Sequence, residues 1–527
     1  MGEGWTRTVS LEELKARGRH VFRQDGRQIA IFDTPRGIFA CNNRCPHEGY
    51  PLREGTLDAD CKLTCNWHNW KFDLATGENQ RDGDRLRVYP VEVRDGEVWI
   101  EIVDPPVAER MAKTMSDLET AFRDHDYERI ARELARLVQI GTDPTQAVAA
   151  AIHWSHDRFE LGWSHAYAGV ADWLRLYDER AHEPENRLIC LLEAIGHMAD
   201  DTLWEEVYPY ATGSAPWDEE AFVAAIEAED EEKAIALTRG ALQAGNAFAL
   251  MERGLTRGAI AHYNDFGHAL IYVPHAGSLV ARLGEDVAEP VLLSLVRGLA
   301  SAFREDLIPE FRGYADALAA FGARPNGAAP SADAFLKLPA NKALAFTAEH
   351  GTAPASDLFR SLLAANATNM LTFDLGHLGD LDQPYGSDFG WLDLTHGLTF
   401  ANAVRNQCGR YPDLWPAGLL QMACFSGRNI GHGDAGVDLE DWKVTDPVAF
   451  FAQVEETLLD HHQDEYIVSV HLLKTALAVR DLVRSQEAGQ AGDIAMAALN
   501  RLLHSPIRTK MVRRTARQAM RFVATDV

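Results

Sequence analysis

Two short runs near the start of the chain hold residue types that bind metal: Cys45-Pro46-His47 and, after an interval of seventeen residues, Cys65-Asn66-Trp67-His68. Each run offers one thiolate and one imidazole from a tight loop. A [2Fe–2S] cluster with two thiolates on one iron and two imidazoles on the other needs this supply, since neighbouring ligands must reach both irons of one compact group. Zinc also accepts two Cys and two His, but more often as Cys-x2–4-Cys paired with His-x3–5-His. The order Cys then His, twice over, favours the cluster and leaves zinc as the alternative. Such a cluster passes single electrons, and its histidine ligands raise its potential above that of an all-cysteine ferredoxin. It does no substrate chemistry by itself.

The elements that must position these loops are short strands. His20–Arg23, Gln28–Phe32, Gly37–Cys41, Leu86–Val93 and Glu97–Val103 are rich in Val, Ile and aromatic residues. Turn signals at Asp25-Gly26, Thr34-Pro35-Arg36-Gly37, Thr76-Gly77, Asp82-Gly83 and Asp95-Gly96 punctuate them. Many short strands with Gly-containing turns predict a small β-sandwich or barrel. Pro105-Pro106 closes this unit, because two consecutive prolines cannot continue a strand ladder.

At these residues the chain resembles the Rieske ferredoxin and oxygenase-type Rieske family. The resemblance runs through Asn43–Leu52 and Cys65–Asp73, then Thr76-Gly77 and Val91–Ile100, and covers roughly residues 5–104. It implies that Cys45 and Cys65 bind one iron, and that His47 and His68 bind the other, more exposed iron. Cys41 and Cys61 each stand four residues before a ligand cysteine. The extra disulfide pair of membrane-complex Rieske proteins lies within the ligand loops, at positions this chain lacks. Buried free thiols are therefore the expected state of Cys41 and Cys61.

After Met111 the texture becomes helical. Leu118–Leu137, Thr145–Ile152, His165–Tyr177, Glu219–Leu237, Val287–Phe303, Asp357–Leu371, His396–Asn406, Leu414–Phe425, Val448–Leu459 and Tyr466–Leu482 carry helical spacing. Breakers gather in Arg324–Ala332 and Asp380–Gly390. The predicted fold is thus multidomain: an N-terminal all-β domain over 1–106 and a large, mainly α-helical, histidine-rich domain over 107–527, with a soft boundary near 325–335.

A cluster fused to a large domain points to an internal electron donor feeding a catalytic centre. In ring-hydroxylating Rieske oxygenases that centre uses His-x4-His spacing plus a carboxylate. The nearest stretch here, Asn264 to His275, has Asp265 and two histidines, but six residues separate His268 from His275. The surroundings are also helical rather than built on an antiparallel sheet, so a standard ring-hydroxylating oxygenase is excluded. His165, His268, His396 and His471 each open an apolar helical stretch. His153/His156 and His268/His275 lie one and two turns apart and share helix faces. Helical bundles build metal centres from inward His and carboxylate side chains on several helices. Asp265/His268, Asp374/His377 and Asp393/His396 repeat an Asp-x-x-His spacing, although about three such acid–histidine pairs are expected by chance. The candidate ligands for a second centre are His153, His156, His268, His275, His396 and His471, with Asp265 and Asp393 as carboxylates. The expected metal is a non-haem iron, because His and carboxylate ligation with open positions suits oxygen activation.

His153/His156, Gly267–Tyr272 and Thr395–Thr399 resemble short patches of the questin-oxidase-like family, helical and histidine-rich oxygenases linked to Baeyer–Villiger cleavage of polyketide rings. These patches assign no catalytic roles.

The remaining composition narrows the classes. A formal charge of −27 repels nucleic acid and anionic membrane surfaces. Apolar runs such as Ala269–Val273 are too short to span a bilayer. The start is polar and without a signal-peptide pattern, and seven cysteines in 527 residues make no disulfide framework, so a cytoplasmic protein is expected. No Gly-x-Gly-x-x-Gly marks a flavin or nicotinamide domain. Electrons are then expected from a separate reductase or ferredoxin. Arg405 and Gly427-Arg428-Asn429 read as salt-bridge partners of the abundant acids rather than as an anion site. The resulting expectation is an oxidoreductase whose cluster feeds an iron centre for O2-dependent oxidation of a small organic molecule. The alternative is an electron-transfer protein with a metal-free helical docking domain. Rieske systems often pair centres across subunits, which leaves a homo-oligomer open.

Overall fold

The computed structural model describes residues 4–80, 83–324, 327–384, 389–508 and 510–525. Asp82 of the expected Asp82-Gly83 turn lies outside them, as do parts of the breaker segments 324–332 and 380–390. The chain divides into two compact units, Met1–Asp117 and Leu118–Val527. No described helix is long and apolar enough to cross a membrane.

Among the described residues the first unit has, beside the short helix Leu11–Arg17, ten strands: β1 (Trp5–Ser10), β2 (Arg19–Gln24), β3 (Arg27–Thr34), β4 (Gly37–Asn42), β5 (Thr56–Leu57), β6 (Lys62–Thr64), β7 (Lys71–Asp73), β8 (Val88–Tyr89), β9 (Val91–Arg94) and β10 (Glu97–Glu101). They form three antiparallel sheets, ordered β1-β10-β9, β2-β3-β4-β8 and β5-β6-β7. Alternate strand residues point to opposite faces, and β3 shows the consequence. Ile29 and Ile31 enter one core with Val9, Leu14, Val98 and Ile100, while Ala30 and Phe32 enter another with Leu63, Phe72, Cys45 and Cys65. Phe32 and Phe72 are fully buried, and each contributes about 1.5–3 kcal/mol of apolar burial under the cluster loops. Leu86–Val93 is not one strand. Pro90 carries no N–H for a ladder, and the chain changes sheets there, β8 pairing with β4 and β9 with β10.

Two expected helices are each broken in two. Leu118–Leu137 falls within Val107–Arg123 and Tyr127–Ile140, and Glu219–Leu237 within Glu219–Glu227 and Glu231–Ala244. Both breaks use a left-handed, non-glycine residue, His125 and Glu229, followed by a capping aspartate, Asp126 and Asp230. Four helices of the second unit form a ring of neighbours: His165–Glu179, His268–Leu283, Trp391–Arg410 and Tyr466–Arg484. They are called here the His165, His268, His396 and His471 helices. Outer helices pack behind them, Pro184–Asp201 on the first, Ala247–Ile260 and Ala288–Ala300 on the second, Ala355–Leu371 and Trp415–Arg428 on the third, and Gln490–Leu503 on the fourth.

Candidate metal centres

The two ligand loops of the β unit share one backbone plan. In the first, the Cys45 N–H donates to the Tyr50 carbonyl (2.9 Å) and the Gly49 N–H to the Cys45 carbonyl (2.8 Å). In the second, the Cys65 N–H donates to the Trp70 carbonyl (2.7 Å) and the Asn69 N–H to the Cys65 carbonyl (2.9 Å). The fourth residue after each cysteine is left-handed, Gly49 at φ 75° and Asn69 at φ 61°, the residue types that tolerate it best. Buried Asn43 anchors the first loop, its side-chain oxygen accepting from the Arg53 N–H (2.8 Å) and its carbonyl from the Leu52 N–H (2.6 Å).

These loops turn the sulfurs inward and the imidazoles outward. Cys45 and Cys65 are buried in the core, whereas His47 and His68 remain about one third exposed at 30% and 36%. The His47 ring stacks on Trp70 at 4.6 Å and the His68 ring on the exposed Trp67 at 5.2 Å, with the two imidazoles edge to face at 4.7 Å. His47 Nδ1 is buried without a hydrogen-bond partner among the described residues. Glu48 lies 3.9 Å from His47 Nε2 and 3.8 Å from His68 Nδ1. Burial pushes the Cys45 thiol up to about 11, the His47 amide opposing the rise and Cys65 adding to it. Cys41 and Cys61 are free and buried, and the Cys61 thiol lies 3.2 Å from the Thr34 hydroxyl.

The second cluster of ligand atoms lies in the helical ring. One ring nitrogen each from His165, His268, His396 and His471 lies within 4.8 Å of the others, and the group contains no carboxylate. Neighbouring ring centroids are 4.5 Å (His165–His268), 4.5 Å (His268–His396), 5.0 Å (His396–His471) and 4.7 Å (His471–His165) apart. Helix starts place two of them. His165 follows the cap Ser164, and His268 follows the tight turn Asp265-Phe266-Gly267, in which every residue has positive φ. Gly267 is required there on two counts: its φ is 78°, and a Cβ would come within 2.4 Å of the Phe400 ring.

The hydrogen bonds of these rings decide what they can hold. His268 Nδ1 donates to the Asp265 carbonyl and His471 Nδ1 to the Ile467 carbonyl, both at 2.6 Å. In the neutral ring each Nε2 is then a bare lone pair. Yet His268 Nε2 lies 2.8 Å from His396 Nε2, and His396 Nε2 lies 3.3 Å from His471 Nε2. Two lone pairs thus face His396 Nε2, which meets them either with its own N–H as a neutral tautomer or as a third lone pair around a shared cation. Protonation is opposed by burial, which holds His165, His268 and His471 well below the ordinary range and pushes His396 down to about 3, Lys474 adding to the effect. Neutral imidazoles presenting Nε2 are metal ligands, and backbone carbonyls on Nδ1 are the partners that orient them.

A cavity of about 680 Å³ opens one helical turn further along the same helices. On each helix the lining residues follow the histidine in sequence: Ala171 to Glu179, Ile271 to Arg282, Thr399 to Asn406, and Lys474 to Asp481. All four helices therefore run in the same direction, from the histidines toward the cavity. A smaller cavity of about 200 Å³ touches His165, His268 and Asp265 directly, among Trp163, Tyr272 and Phe303.

Comparison with known proteins identifies the β unit. Residues 4–90 match the Rieske [2Fe-2S] domain family. The chain is 34% identical over 76 residues to the 3-phenylpropionate/cinnamic acid dioxygenase ferredoxin subunit of Escherichia coli K12, a match covering 14% of this chain and 72% of that protein. The chain belongs to the Rieske [2Fe-2S] family through its N-terminal domain. It is also 33% identical over 108 residues to the 4beta-methylsterol monooxygenase of Methylococcus capsulatus, spanning 18% of this chain and only 29% of that protein. Among solved structures, the ferredoxin of carbazole 1,9a-dioxygenase from Nocardioides aromaticivorans aligns with 19% of this chain and 100% of its own, at 24% identity and a TM-score of 0.18. The ferredoxin in a carbazole 1,9a-dioxygenase oxygenase–ferredoxin complex aligns with 20% of this chain at a TM-score of 0.19. The residues present fit the cluster of a Rieske domain: the Cys45 and Cys65 thiols are buried beside an outward pair of imidazoles, and His47 Nδ1 is a buried nitrogen without a partner.

The ligand candidates drawn from the sequence of the helical unit separate into two sets. His268, His396 and His471 come together, joined by His165, which opens an apolar stretch in the same way but has no partner histidine on its own helix face. The others go elsewhere. His275 is seven residues beyond His268, about 10 Å along the axis, where its Nε2 lies 3.3 Å from Asp172 in the cavity wall. His153, near the end of its helix, faces the exposed Asp286 at 3.4 Å, and His156 stacks on Tyr210 at 5.8 Å. Asp393 accepts the Gly390 N–H (2.9 Å) at its own helix start and pairs with Arg428 at 3.0 Å. Asp265 lies 3.9 Å from His268 Nδ1, and burial pushes its carboxyl up to about 7. Asp374 caps the Gly376 N–H, and His377 packs on Phe373 and His432.

Proposed function

We propose that the chain is an iron-dependent oxidoreductase in which a [2Fe–2S] cluster on Cys45, Cys65, His47 and His68 feeds a non-haem iron held by His165, His268, His396 and His471, for O2-dependent oxidation of a small organic molecule. The cluster supplies one-electron transfer at a potential raised by its imidazole ligands. The chain's own residues position the two sites. Cys45 and Cys65 anchor from the core, while Trp70 and Trp67 hold the outward imidazoles by stacking. In the helical unit the Asp265 and Ile467 carbonyls fix the tautomers that present Nε2.

The observation that supports this reading is the meeting of four buried imidazoles, one nitrogen of each within 4.8 Å of the others, with the Nε2 lone pairs of His268 and His471 turned toward His396 and no carboxylate in the group among the described residues. Iron is favoured over zinc because a domain that delivers single electrons needs a redox-active acceptor, and zinc has none. The cavity of about 680 Å³ has the size and mixed lining of a small-molecule site. The similarity to the methylsterol monooxygenase and the questin-oxidase-like patches support oxygen chemistry. A separate reductase or ferredoxin supplies the electrons. A metal-free docking domain, the alternative reading, leaves the converging nitrogens without a function.

Anaerobic reduction of the full chain, removal of reductant, and mixing with O2 tests the proposal through the reoxidation of the cluster spectrum. His396→Ala should keep its acid-labile sulfide and slow reoxidation by roughly tenfold or more. Equal rates in the two proteins would remove the four-histidine group from the path of the electron.

A further inference from the structure

The walls of the 680 Å³ cavity are charged at several points, and nearly all of that charge is already committed. Four basic side chains line it: Arg175, His275, Arg282 and Lys474. Arg175 makes a bidentate pair with Asp481 (2.6 and 2.8 Å), Arg282 one with Asp178 (2.7 and 2.9 Å), and His275 lies 3.3 Å from Asp172. The remaining acid, Glu179, is engaged by Arg480 at 2.8 and 2.9 Å. Lys474 differs from the other three. It is 2% exposed, and its Nζ is buried with no hydrogen-bond partner among the described residues. Asp172 and Asp265 act on it only through space, and burial still pushes its ammonium down to about 7.

Its position is as informative as its isolation. Lys474 stands three residues after His471, so it shares a helix face with that ligand one turn toward the cavity. Apolar side chains surround the same space, Leu174, Ile271, Pro274, Leu279 and Leu477. A buried donor without an acceptor is costly, and a chamber of mixed lining with one uncommitted cation and an aliphatic wall is completed by a ligand that carries one anionic oxygen and an apolar face.

We infer that the cavity binds an organic anion, a carboxylate or phenolate on a hydrophobic ring system, with its anionic oxygen on Lys474 and its rings against the aliphatic wall. This rests on reading the cavity as the substrate chamber of the four-histidine centre. The Lys474 contact then orients the ligand, so that the carbon skeleton nearest the anionic group faces the histidines.

The test uses 2-naphthoate and its neutral counterpart 2-naphthalenemethanol as probes, titrated into the full chain by calorimetry, with iron and sulfide measured on each preparation. The wild-type chain should prefer the anion by ten- to a hundredfold, the range for a hydrogen bond to a charged group. Lys474→Met should abolish that preference while keeping affinity for the neutral probe and full iron content, and Lys474→Arg should retain it. A preference unchanged in Lys474→Met, or lost on iron removal alone, would overturn the inference by placing the anion on the metal. Loss of iron in Lys474→Met would overturn it by placing Lys474 in the metal's own surroundings. A Lys474-dependent preference in a chain whose iron does not exceed its sulfide would uphold this inference and defeat the proposed function instead, so the two failures are distinguishable.

Discussion

The two candidate centres of this chain solve the same problem with opposite use of sequence. In the β unit all four ligands fall within Cys45–His68, on two loops that fold onto themselves through matching backbone hydrogen bonds. In the helical unit the candidate ligands are His165, His268, His396 and His471, one per helix, and only the closed ring of four helices brings them together. The first site is local and written in a spacing. The second is tertiary, and no spacing records it. The difference teaches that the loop site depends on backbone conformation at a few residues, whereas the helical site depends on packing at a distance.

The largest expected effect separates the sites outright. Cys45→Ser or Cys65→Ser should abolish the cluster's visible and electron-spin signals while leaving any metal on the four histidines, as measured by total iron. Loss of both metals together would break the comparison by showing the helical site to depend on the first. Next comes Gly267→Ala, which adds a Cβ 2.4 Å from the Phe400 ring at φ 78°. It should cost about 2 kcal/mol or more in denaturant unfolding and lower iron content with sulfide unchanged, since the turn it strains begins the His268 helix.

Smaller effects sharpen the loop half of the comparison. Gly49 has φ 75° with open space around its Cβ position, so Gly49→Ala should cost only the left-handed penalty of about 1–2 kcal/mol. Asn69→Gly at the equivalent φ of 61° should change stability by no more than about 0.5 kcal/mol. If both substitutions disturb the cluster spectrum alike, the loops are less tolerant than their backbone plan implies. Smallest of all, Cys41→Ser replaces a fully buried free thiol; the cluster spectrum should not move, with a stability cost of about 1–3 kcal/mol for burying a hydroxyl.

The same contrast explains what could be read beforehand. The cluster motif and the strands of the Rieske domain were legible because ligand pairing and the alternation in β3 are short-range patterns. Two helix breaks escaped because His125 and Glu229, rather than Gly or Pro, take the left-handed turn. The helical ligand set was partly legible. Opening an apolar helical stretch picks out His165, His268, His396 and His471, but helical pairing on a single face drew in His153, His156 and His275 and displaced His165. A group built from one histidine per helix leaves no single-helix spacing to find. Asp393, an acid three residues before an interior histidine, sits at the helix start, where it accepts the Gly390 N–H and pairs with Arg428.

The most direct measurement is iron and acid-labile sulfide per full-length chain, in the wild type and in His165→Ala and His396→Ala prepared with iron supplied. The account predicts iron exceeding sulfide by about one ion per chain in the wild type, and equality in both variants with sulfide unchanged, as expected when a [2Fe–2S] cluster stands beside a separate single-ion site. Iron equal to sulfide in the wild type would contradict it and leave the four histidines without a metal to share.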